Sequence, residues 1–254
     1  MKTRTLMFLV ALSALSCATT PGSRPHEMSA AQHEAAAQQM DAAASGHASQ
    51  YDPQATVTRQ RCAPVTGAAR RADVAIDPCW TSVSNPTDAH RREAEEHRRH
   101  AADHRAGSTA LREAEGRACV GIDPDDRDIS PFDHTEDIAG VAPLKIPNPN
   151  SVGKLPNEAL VGAVVTFRAV PGMTAEWLQR VVDCHLARNA SLGHVVPEMP
   201  NCPLVPNGAT ATVASSGNGF AVSIRSNDPA TAKEILTRAQ RLVSPTGSGV
   251  SSRQ

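Results

Sequence analysis

A chain can bury a core only where its large apolar side chains lie, and along these 254 residues they are unevenly spread. Aromatic residues make up 3% of the sequence, and beyond Phe8 they are Tyr51, Trp80, Phe132, Phe167, Trp177 and Phe220. Phe167, Trp177 and Phe220 fall in the C-terminal third, so a compact unit is expected there, over residues 158–243. Val161 to Val170 alternates, with Ala163, Val165, Phe167 and Ala169 on one face, which is the period of a half-buried strand. Pro171-Gly172 turns the chain, and Thr174 is placed to cap a helix reaching about Asn189. In that helix Trp177, Leu178, Val181, Val182 and His185 recur at helical spacing. Thr210 to Ala214 and Phe220 to Arg225 read as two strands of a hairpin around Ser216-Gly217-Asn218-Gly219. Asp228-Pro229 opens a last helix striped by Ile235, Leu236, Ala239, Leu242 and Val243. The expected unit is β-α-β-β-α, with both helices on one face of an antiparallel sheet.

The N-terminal half has a different grammar. Residues 28–48 are rich in Ala, Gln and Glu, and Thr87 to Cys119 carries seven basic and seven acidic side chains with Ala at nearly every apolar position. Both compositions favour helix. In the second segment Arg91 with Glu95, Arg92 with Glu96 and Arg99 with Asp103 are i,i+4 pairs, each worth a few tenths of a kcal/mol. The expectation is an Ala-lined helical hairpin within a 28–119 region that also holds a loop bounded by cysteines. Residues 120–157 contain Pro124, Pro131, Pro143, Pro147, Pro149 and Pro156 and read as an extended linker, and 244–254 as a disordered tail. The fold class is α+β.

Histidine placement is the unusual pattern. His90, His97 and His104 stand seven residues apart, with His100 between the last two, and His26, His33, Met40 and His47 repeat that spacing upstream. A period of seven keeps side chains on one helical face. Imidazoles at i,i+3 or i,i+4 can chelate a divalent ion such as zinc or copper, and His97, His100 and His104, with His90, are the candidate ligands. The competing reading is a solvated helical face, favoured by Arg98, Arg99 and Arg105 beside the histidines. Joint protonation below neutral pH is a third use of such a stripe.

At the other end of the chain, Lys2 and Arg4 precede the uncharged run Leu6 to Leu15, too short to span a bilayer and of the form of a secretory signal over 1–16. Ser13-Ala14-Leu15-Ser16-Cys17 resembles the bacterial lipobox. That resemblance implies cleavage before Cys17 and lipid, including palmitate, on its thiol and amine, with residues 17–27 as a polar tether. Ala18, rather than Asp, resembles the pattern of sorting to the outer membrane, facing the periplasm. Loss of Lys2 and Arg4 leaves 23 basic against 26 acidic residues, so nucleic acid is not an expected partner. The expected partners are the membrane, through the lipid, and an envelope protein.

Secretion permits disulfides. With Cys17 lipidated, proximity along the chain favours Cys62–Cys79 and Cys184–Cys202, leaving Cys119 unpaired. Cys184-His185 also invites a nucleophile-and-base reading, but adjacent helical residues point about 100° apart. No Gly-x-Ser-x-Gly, phosphate loop or His-Glu-x-x-His motif is present. The expectation is therefore a non-enzymatic binding or structural module of the cell envelope, with metal binding as the alternative and an enzyme based on Cys184 and His185 a distant third.

Overall fold

The computed structural model describes residues 22–62, 79–147 and 158–244. Cys17, the signal segment and all of the expected tail except Ser244 lie outside these.

Helix α1 (Ala30–Gln50) starts at a reciprocal cap. The Ser29 hydroxyl accepts from the Gln32 amide at 3.1 Å, and the Gln32 side chain accepts from the Ser29 amide at 2.9 Å. Helix α2 (Asp88–Ala118) runs back along it. Ala30, Ala37 and Ala44 are buried on α1, and Ala94, Ala101 and Ser108 on α2, each set at intervals of seven. Small side chains at one heptad position let the two backbones approach closely, and the other seam position carries the histidines. Gly107 belongs to the same device. A Cβ there would lie 2.9 Å from the Ser23 carbonyl oxygen and 3.0 Å from the His33 ring.

Between the helices, β1 (Val57–Cys62) and β2 (Cys79–Ser84) pair antiparallel with Cys62 opposite Cys79, and those cysteines form the expected disulfide. The stretch read as irregular loop thus has strands at both ends, exposed along their whole length. Where the arm joins the helices, the Asn85 side chain donates to the Asp52 carbonyl at 2.7 Å, and the Asp52 amide donates to the Thr87 hydroxyl at 3.0 Å. Among the described residues no helix is long and apolar enough to cross a membrane.

The C-terminal unit holds β3 (Ile138–Pro147), β4 (Glu158–Phe167), α4 (Ala175–Ser191), β5 (Thr210–Ser216), β6 (Gly219–Arg225) and α5 (Pro229–Val243). The sheet is antiparallel throughout, in the order β3-β4-β6-β5. It is built as two consecutive β-β-α units, one strand more than expected. Thr174 and Asp228 cap α4 and α5, accepting from the Trp177 and Thr231 amides at 3.1 and 2.7 Å. Ala163, Val165, Phe167, Val222 and Ile224 turn one face of the sheet toward Leu178 and Val182 of α4 and Ile235, Ala239 and Leu242 of α5.

The added strand corrects the reading of 120–157 as linker. That stretch contains the short helix α3 (Pro124–Asp128), the fully buried Phe132 and all of β3. Phe132 lies 5.6 Å from Phe167, ring centre to ring centre, so the core begins well before residue 158. Pro143 and Pro147 sit within β3 because it is an edge strand, which needs ladder hydrogen bonds on one side only. Residues 148–157 lie outside the described part.

The cysteine assignment is also corrected. Cys184 bonds to Cys119, not to Cys202, tying the end of α2 to α4. The packing of α2 on α4 decides the pairing, overriding the shorter separation of 184 and 202 along the chain. A loop of this length, 65 residues, corresponds to about 4 kcal/mol in the chain-entropy account. Arg188 adds contacts across the same junction, 3.6 Å to Glu115 and 3.2 Å to Asp128. Cys202 is a free thiol buried in the core; Ser130 donates to its sulfur at 3.3 Å, and burial pushes its pKa up.

Candidate metal centre

The two histidine stripes named in the sequence face each other across the α1–α2 seam. Near the arm, His47 of α1 meets His90 of α2, with 3.3 Å between their Nδ1 atoms. Fourteen residues earlier on α1 and fourteen later on α2, His33 meets His104, with 3.1 Å between Nδ1 atoms. This antiparallel register sets Met40 level with His97. A solvated face, the competing expectation, is thus replaced by a packing seam: His33 and His104 are buried, and His47, His90 and His97 half-buried.

In the His33–His104 layer the proton positions follow from the partners. His33 Nε2 lies 3.1 Å from the Arg24 carbonyl oxygen, which can only accept. A neutral His33 therefore presents a bare Nδ1, and His104 Nδ1–H donates to it. Burial first, and then the proximity of His33, holds the His104 pKa below its usual value.

The His47–His90 layer has an added carboxylate. Glu93 Oε2 stands 2.9 Å from His47 Nδ1 and 3.6 Å from His90 Nδ1, closing a triangle of two nitrogens and one oxygen. Zinc bonded at about 2.0–2.1 Å to tetrahedral ligands separates them from one another by about 3.3–3.4 Å. The three separations, 2.9, 3.3 and 3.6 Å, straddle that value. Helix periodicity makes this possible: His90 and Glu93 are i,i+3 on α2, and His47 comes from α1 one layer before its end.

The neighbouring arginines are drawn off. Arg91 donates to Glu95 at 2.9 Å and Asp88 at 3.3 Å, Arg105 pairs with Asp41, and Arg98 and Arg99 are exposed. The His97 ring lies nearly parallel to that of His47, 5.4 Å between centres and 14° between planes. Its Nδ1 is buried and has no hydrogen-bond partner.

Set against the expected ligands, His90 lies in the triangle and His97 beside it. His97, His100 and His104 do not converge on a point: His100 meets His97 edge-on at 6.4 Å, and His104 belongs to the other layer. His47 belongs to the upstream stripe and Glu93 to neither stripe, so both lie outside the expected ligand set. The spacing His90-x-x-Glu93 was the available signal, although it gains meaning only once α1 supplies the third donor.

The nucleophile reading of Cys184 and His185 fails on both members. Cys184 is in a disulfide, and His185 Nε2–H donates to the carbonyls of Asp126 and Ile129 at 3.0 and 3.1 Å. Burial lowers the His185 pKa, so this imidazole is a neutral strut beneath the 126–129 turn.

Comparison with known proteins finds no matching family model, no similar curated protein and no similar solved structure.

Proposed function

We propose that this chain is a lipid-anchored protein of the bacterial cell envelope that binds one divalent transition-metal ion between its two long helices, at His47, His90 and Glu93, and catalyses no reaction. The observation that carries the metal reading is the triangle of donor atoms, whose edges straddle those of a tetrahedral ligand set. Imidazole nitrogens with one carboxylate suit zinc or copper(II) and disfavour magnesium and calcium, which prefer oxygen. The anchor rests on Ser13 to Cys17 and their resemblance to a lipobox. The outer membrane, facing the periplasm, is the location that Ala18 favours.

Calorimetric titration of the metal-free protein with zinc, and separately with copper(II), tests the reading. The expected result is one ion per chain at low-micromolar dissociation constant or tighter, with loss of binding in the His47→Ala, His90→Ala double variant. His194→Ala, in a residue held by the Val205 carbonyl and next to Gly193, which packs on Ser29 at the opposite end of α1 from His47, should bind like the parent. Binding no tighter than tens of micromolar, or binding indifferent to the double variant, would sink it.

A further inference from the structure

We infer that His97 is the fourth ligand of this centre, so that a bound ion is enclosed by three imidazoles and one carboxylate with no open position. The inference rests on the metal-binding reading above and extends it from where an ion sits to what kind of site it is. Three observations converge. A triangle of donors supplies one face of a tetrahedron and leaves a single vertex to fill. His97 is the adjacent imidazole, stacked on the ligand His47, and it follows Glu93 by four residues, so α2 presents His90, Glu93 and His97 on one face. Its Nδ1 is buried without a partner, an unfavourable condition that a bond to a metal ion relieves.

His97 stands outside the three donors that lie within 4.8 Å of one another, so ligation requires its ring to turn about its own side-chain bonds. Four protein ligands in a tetrahedron are the mark of a structural or storage site, whereas a catalytic zinc keeps a position for water or substrate. With one ligand from α1 and three from α2, the ion becomes a clamp on the hairpin just below the arm. The absence of a thiolate among these donors favours zinc over copper(I).

Cobalt(II) in place of zinc reads coordination number directly. The full chain loaded with cobalt should show the intense visible absorption of a four-coordinate ion. His97→Gln should show the weak bands of a five- or six-coordinate ion completed by water, with zinc affinity reduced at least about tenfold. His104→Gln, in the other layer, should keep the parent spectrum. Imidazole nitrogen NMR of the unaltered protein gives a readout that needs no variant: zinc should move the His97 Nδ1 resonance together with those of His47 and His90. Parent-like spectrum and affinity in His97→Gln, or a His97 nitrogen that zinc leaves in place, overturn the four-ligand centre while leaving the three-ligand reading intact. Failure of the parent protein to bind cobalt or zinc overturns both.

Discussion

The helical hairpin and the C-terminal unit solve the problem of cohesion in opposite ways. The C-terminal unit buries large side chains, among them Phe132, Phe167, Leu178, Leu204, Ile224 and Ile235, and its stability is spread over many apolar contacts. The hairpin buries mainly alanines and histidines, with Ser108 and Leu111 beside them. Alanine contributes little area, so close approach of the helices takes the place of bulk, and the interior positions left over carry nitrogen. A region held by bulk can tolerate a buried histidine such as His185 as a strut. A region held by close approach displays several histidines in register, and a ligand site can arise there without weakening a core. That difference is why the proposed metal site falls in the hairpin.

The contrast can be broken from either side, and the largest effect belongs to the core. Phe167→Ala removes a ring in contact with Phe132 and should cost about 3–5 kcal/mol, measured by urea denaturation followed through the near-ultraviolet signal of Trp177. The reverse substitution is the damaging one in the hairpin. Ala101 is fully buried, and the register sets it level with Ala37; Ala101→Leu should force the helices apart and cost about 1–3 kcal/mol in helical melting. If Ala101→Leu instead stabilises the hairpin, cohesion there comes from bulk after all and the contrast fails.

Acid should strain both regions more gently. His104 in the seam and His185 beneath α3 have pKa values lowered from 6.5 by burial, so each stays neutral in the folded chain where the unfolded chain would take up a proton. Their contribution is intact above about pH 6.5 and is lost as pH falls below it, by at most about 1.4 kcal/mol per pH unit for each. Stability curves at a series of pH values check this. In His104→Gln the slope should lessen by the hairpin's share, while the share of His185 remains.

Local patterns made much of this architecture legible in the sequence. The capped helices α4 and α5, the β5–β6 hairpin and the two long helices follow from period, caps and turns, and Cys62–Cys79 from proximity. What was hidden depended on contacts between distant elements. Strand β3 carries Pro143 and Pro147, which argue against a strand until its edge position is known. Cys119 found Cys184 only through the packing of α2 on α4. The histidine stripes were visible at their seven-residue spacing, yet one helix cannot show what the other brings to it. His47 therefore completes a triangle of donor atoms whose other members, His90 and Glu93, lie on α2.

The register of the seam makes the hairpin a ruler. Each seven-residue step lengthens it by about 10 Å and adds one alanine layer and one layer for a larger residue. Removing one such step from each helix at matching heights would bring the arm closer to the C-terminal unit and leave every remaining layer facing its old partner. Removing it from one helix alone would slide all the layers out of correspondence. The separation between the exposed arm and the sheet is therefore adjustable in quanta, and only by paired changes in the two helices.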